Sequence, residues 1–111
     1  MAGAAPTVAR LHKLGVTGER SLFVHCVHID ESEMDTIAAT KTIVVHNPES
    51  NQNNGVGRLD PLETTRRGVT VGLGTDGMSS AMLRSLRAAF LSLRGGRRDP
   101  SAGFDVVPGL L

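Results

Sequence analysis

Apolar residues along this chain alternate between short β-branched runs and longer stretches with three- and four-residue spacing. In "APTVARLHKL" (5–14) Val8, Leu11 and Leu14 recur at helical spacing, with Gly15 placed as a C-terminal stop. The apolar run "SLFVHCVHI" (21–29), bounded by "GER" and "DESE", predicts a first strand buried on both faces. "DESEMDTIAAT" opens with Asp30 as a helix N-cap and carries Glu33 three residues later, the spacing of a capping box. A second β-branched run, "KTIVVHNP", stops at Pro48 and opens into the polar stretch "ESNQNNGVGR", which predicts a long loop. Asp60 and Pro61 start another helix that Gly68 ends, and "VTVGLGTD" supplies a third strand. From about Ser80 to Arg94, Met82, Leu83, Leu86, Phe90 and Leu93 form an apolar stripe opposite Arg84, Arg87 and Arg94, which predicts an amphipathic helix packed on a sheet.

Strands separated by helices cannot pair as hairpins, so the order βαβαβα after an introductory helix implies an α/β fold with a parallel sheet and right-handed crossovers. Residues 1–94 carry this alternation; residues 95–111, "GGRRDPSAGFDVVPGLL", mix Gly, Pro and charge and receive no element.

Composition narrows the picture only modestly. The 111 residues suffice for one small domain, and a net charge of +1 with 40% hydrophobic residues is that of an ordinary globular chain and favours no particular partner. The single cysteine, Cys26, cannot form an internal disulfide and suits a reducing, cytoplasmic setting. The N-terminal "MAGAAPTVARLHKLG" lacks a continuous apolar stretch, and no run approaches the length of a membrane span, so neither secretion nor membrane insertion is expected.

The stretch "GLGTDG" (72–77) carries the candidate chemistry. Gly72, Gly74 and Gly77 match a dinucleotide-binding glycine pattern, but that fold opens with the loop and needs an acid ending a further strand about 20 residues on. Here two strand–helix units precede it, and the nearest acid, Asp99, sits in "RRDPS". Alternatively the strand delivers Asp76 to the carboxyl rim of a parallel sheet, where such sheets bind ligands. His25 near the end of the first strand and His46 at the end of the second would share that rim, and imidazole with carboxylate suits metal-assisted hydrolysis. Taken singly, each also suits a structural role: a strand-end histidine in the core, or Thr-Asp-Gly as a helix-capping turn.

"FVHCVHIDESEMDTIAATKTIVVHNPESNQNNGVG" followed by "RGVTVGLGTDGMSS" resembles the metal-dependent amidohydrolase superfamily, in its aminohydrolase and chlorohydrolase branch. The wording "HNPESN" and "GLGTDGMSS" is most similar to the SsnA-like aminohydrolases, then to adenosine- and cytosine-type deaminases, over roughly Val8 to Arg94. The resemblance implies the last three units of an eight-stranded (β/α) TIM barrel, with active-site groups at the strands' carboxyl ends. It implies that His25 is the sixth-strand histidine that hydrogen-bonds the substrate or attacking water. Asp76 becomes the eighth-strand aspartate that binds the metal and accepts a proton from the attacking water. His46, on the seventh strand, would touch substrate beside Asn47, Ser50 and Asn51.

The matched stretch lacks the family's first-strand His-x-His pair and its fifth-strand histidine with the following glutamate. A closed barrel takes about 250 residues. The expectation is therefore a C-terminal fragment of a hydrolase acting on non-peptide C–N or C–Cl bonds, inactive alone, whose zinc or iron belongs to the complete barrel. Its expected partners are a small-molecule substrate and the missing barrel portion or a further copy of the chain. A different class of function attaches to Arg84, Arg87, Arg94, Arg97 and Arg98, a basic stripe that could meet phosphates. With 3% aromatic residues there is little to stack bases on, so neither nucleic acid nor membrane is expected as a partner.

Overall fold

The computed structural model describes residues 5–111; the first four residues of the N-terminal stretch lie outside it. Three short strands, β1 (Leu22–Val24), β2 (Ile43–His46) and β3 (Val71–Leu73), form a parallel sheet in the order β1-β2-β3. Phe23, Val44 and Val71 share one rung of the ladder. Helices α1 (Thr7–Lys13), α2 (Glu31–Thr40), α3 (Pro48–Asn53), α4 (Pro61–Arg66) and α5 (Met82–Arg97) connect and flank the strands, and a 3₁₀ turn, Val107–Leu110, closes the described chain. The protein is thus α/β, with parallel strands separated by helices.

The capping box that begins α2 is present: Glu33 N–H donates to Asp30 Oδ1 at 2.8 Å, and Asp30 N–H donates to Glu33 Oε2 at 3.0 Å. The other carboxylate oxygen of Glu33 accepts from Val8 N–H at 2.7 Å, so one buried acid caps α2 and anchors α1 beside it. Val8, Met34, Ile37, Val44, Leu59, Val69, Val71 and Leu110 form one buried cluster; Leu62, Ala89, Leu93, Ala102 and Val107 form a second under α5.

Several parts differ from the sequence reading, among them the expected apolar faces of α1 and α5, where Leu14 is 76% and Leu83 75% exposed. The first strand is not buried on both faces: Leu22 is 61% exposed and Val24 50%, while Phe23 between them packs against the core with Val44 and Val71. The expected loop after β2 begins as helix α3, with Pro48 in its first turn, where the missing amide hydrogen costs nothing. Residues 95–111, assigned no element, extend α5 to Arg97 and place Val107 and Leu110 in the two cores.

Candidate active site

At the carboxyl end of β1 the chain leaves the strand abruptly. The ladder continues through His25 N–H to Val45 O at 2.9 Å, and Cys26 N–H then donates to Val24 O at 2.9 Å. An i→i+2 bond around a residue with φ +69° is the rarer, strained hand of γ-turn, and Cys26 follows at φ +50°. This turn breaks the two-residue alternation that would send the His25 ring among the helices with Phe23. Asp76, three residues beyond β3, also has positive φ (+52°). Between strand and aspartate, Gly74 passes so close to Asn47 and Val45 that a Cβ would collide with both. Left-handed conformations at non-glycine residues cost on the order of 1–3 kcal/mol each and gather at functional sites.

These two excursions bring His25 and Asp76 together, with Nε2 of the imidazole 3.6 Å from Asp76 Oδ2 and both side chains part-exposed. That separation is beyond a direct hydrogen bond. Ser50 Oγ–H donates to Asp76 Oδ2 at 2.7 Å, and Gly77 N–H donates to Oδ1 at 2.8 Å. The Ser50 hydroxyl, followed by the Gly77 amide and the nearby His25, holds the Asp76 carboxyl below its usual range and so favours the anion. On the far side of the ring, His25 Nδ1 lies 2.8 Å from Asn51 Oδ1. The pair lines a cleft of about 300 Å³ with Val27, His28, Asn51, Asn54 and Val56.

His46 is elsewhere. It shares the helix-covered side of β2 with Val44, is 1% exposed, does not line the cleft, and neither ring nitrogen has a hydrogen-bond partner among the described residues. Burial pushes its pKa down to about 4, with Asp60 opposing the shift and His25 adding to it. Cys26 has its thiol pushed up to about 11 by burial and by Glu33, so it stays protonated and is a poor nucleophile.

Sequence reasoning placed Ser50 and Asn51 in a loop and did not single out Asn54, Val27, His28 or Val56. The signal available was Asn47-Pro48, a helix-start pattern that puts Ser50, Asn51 and Asn54 on one or two turns beside the rim. His-x-x-Glu spacing occurs at His28–Glu31 and at His46–Glu49. Neither supplies a second catalytic pair: Glu31 is exposed and paired with Arg67, and Glu49 is paired with Arg84.

The profile of the Amidohydrolase family matches residues 5–107, nearly the whole described chain. This chain belongs to the amidohydrolase family. The 5-methylthioadenosine/S-adenosylhomocysteine deaminase of Desulfitobacterium hafniense is 44% identical to it over 70 residues, covering 63% of this chain and 16% of that protein. The guanine deaminase of Escherichia coli is 37% identical over 91 residues, covering 78% of this chain and 21% of that protein. An adenosine deaminase from Xanthomonas campestris, solved with bound zinc, superposes with a TM-score of 0.78 at 30% identity, over 86% of this chain and 23% of that one. The chain therefore spans less than a quarter of the length of these relatives. Its three parallel strands with their helices form a sector of their TIM barrels.

The family is generally metal-dependent, but the donors here are too few for a metal. Among the described residues no three or more His, Cys, Asp or Glu side chains come together as a metal site. A catalytic zinc takes three protein ligands and keeps one position open. His25 and Asp76 offer two donors, so the remaining ligands would have to come from outside this span.

Proposed function

We propose that this chain supplies the His25–Asp76 part of the active site of a hydrolase that removes an amino or chloro substituent from a ring or amidine-like small molecule. The observation that carries the reading is the approach of His25 Nε2 to Asp76 Oδ2 at the carboxyl rim of the sheet, each side chain delivered there by a positive-φ residue. Asp76, held ionised by Ser50 and Gly77, is the base that takes a proton from the attacking water. In a completed barrel its carboxylate would also be one of the groups able to hold a metal ion. His25 hydrogen-bonds the same water through Nε2, the ring nitrogen that faces Asp76. His46 serves the core and not the substrate, since its ring is enclosed.

Support for deamination comes from the relatives, which are named as deaminases of purine-containing compounds. The exposed apolar face of Leu22 and Val24 fits an incomplete barrel interior, which the remaining βα units would cover. By this reading the isolated chain is inactive.

The test grafts residues 5–107 in place of the matching segment of the E. coli guanine deaminase and follows ammonia release from purines and their nucleosides. Turnover by the chimera with none from the chain alone is expected. Turnover by the chain alone, or a folded, zinc-loaded chimera that releases no ammonia from any of them, would overturn the reading.

A further inference from the structure

The two groups of the cleft are held by consecutive residues of one short helix. Ser50 and Asn51, both on α3, contact Asp76 Oδ2 at 2.7 Å and His25 Nδ1 at 2.8 Å, and both are buried, at 3% and 2% exposure. α3 is itself tied down: Asn51 N–H donates to Asn47 O at 3.0 Å, Val56 N–H donates to Asn51 O at 3.2 Å, and Glu49 is bound to Arg84 of α5 at 2.6 Å. Asn54, one turn on, donates from Nδ2 to Ser50 Oγ at 3.4 Å, which leaves the Ser50 hydroxyl hydrogen for Asp76.

The atom that Asn51 presents to His25 is its amide oxygen, which can only accept. A neutral imidazole carries one hydrogen, so a hydrogen on Nδ1 leaves Nε2 with a free lone pair. Nε2 is the nitrogen that faces Asp76 across 3.6 Å. Two lone-pair donors then look into the same space from opposite sides, an arrangement suited to a water molecule or a cation between them and not to a direct imidazole–carboxylate bond.

The geometry points to Asn51 as a positioning residue that holds the ring of His25 in its Nδ1–H tautomer and turns Nε2 toward the cleft, while Ser50 does the corresponding work on Asp76. This assignment rests on the reading of His25 and Asp76 as the working pair, yet its test needs no turnover. Asn51 touches no reacting atom; it acts through His25.

The test is a long-range ¹H–¹⁵N spectrum of the histidine rings in the full 111-residue chain at a pH where His25 is neutral. In the wild type, Nδ1 of His25 is expected to give the protonated, pyrrole-type signal and Nε2 the unprotonated, pyridine-type signal. Asn51→Leu, which keeps the volume and removes the acceptor, should move the hydrogen to Nε2 and exchange the two signals. Asn51→Asp, which keeps an acceptor oxygen, should restore the wild-type pattern, and Ser50→Ala should leave it unchanged. A wild-type His25 protonated on Nε2, or an Asn51→Leu spectrum with the signals unmoved, overturns the proposal. If Asn51→Leu fails to fold, the wild-type tautomer and the Asn51→Asp spectrum still decide the matter. A correct tautomer combined with a chimera that turns over normally without His25 would instead leave Asn51's role in place and remove the hydrolytic reading.

Discussion

The ends of β1 and β2 look alike in sequence, "FVHC" beside "VVHN", and behave oppositely in the fold. His25 sits in a γ-turn with positive φ, is part-exposed, and has a polar group near each ring nitrogen. His46 keeps regular strand geometry, follows Val44 into the helix-covered side, and among the described residues has a hydrogen-bond partner on neither nitrogen. One residue of reversed backbone hand thus separates an imidazole available for chemistry from one sealed in the core. The turn costs conformational energy, and the strand that keeps its geometry shows where the side chain goes without it.

Substitution in the chimeric barrel should separate the two histidines most widely. His25→Gln is expected to lower kcat by about 10²–10⁴-fold, the range for losing a proton-transfer or hydrogen-bonding group in the transition state. His46→Leu should change kcat by less than about 10-fold, as expected for a residue outside the cleft. Equal losses from both would erase the distinction.

Stability against pH sharpens it further. His46 is held neutral, its pKa moved from 6.5 to about 4, so the unfolded chain binds a proton more readily than the folded one between those values. Stability should therefore fall as pH drops through that window and level off below it, by roughly 3 kcal/mol in all. Urea titrations at pH 7 and pH 4.5 should show this loss in the wild type and a markedly smaller one in His46→Leu. An unchanged pH dependence in the variant would place the proton-linked group elsewhere.

A smaller effect is expected where the two rims touch. Gly74 N–H donates to His46 O at 2.8 Å, and the glycine has no room for a side chain beside Asn47 and Val45. Gly74→Ala should destabilise the chain by about 1–3 kcal/mol through overpacking. It should also displace Asp76 two residues on, which the chemical shifts of the Asp76 carboxylate would report. A neutral substitution would mean that the approach of β3 to Asn47 is slack.

Much of the fold was legible because its signals are local. The Asp30–Glu33 capping box, the Asp60-Pro61 helix start and the β-branched runs need no knowledge of distant contacts. The family motifs pointed to His25 and Asp76 without revealing how they meet. What stayed hidden depends on contacts distant in sequence. A run such as "SLFVHCVHI" carries no mark of a γ-turn in its middle, so His25 and His46 read as equivalent. α3 is polar even where Ser50 and Asn51 meet the rim, and an Asn- and Gln-rich stretch without apolar periodicity reads as loop. The burial of Val107 and Leu110 is set by α5 and the sheet core.

In the proposed hydrolase, Asp76, beside His25 at the carboxyl rim, is the carboxylate on which turnover depends. Steady-state ammonia release by the active chimera, compared with its Asp76→Asn form, tests it most directly, with circular dichroism confirming that both are folded. kcat is expected to fall by at least about 10²-fold, because the amide can neither accept the proton nor carry the charge. An Asp76→Asn chimera that keeps its kcat would contradict it.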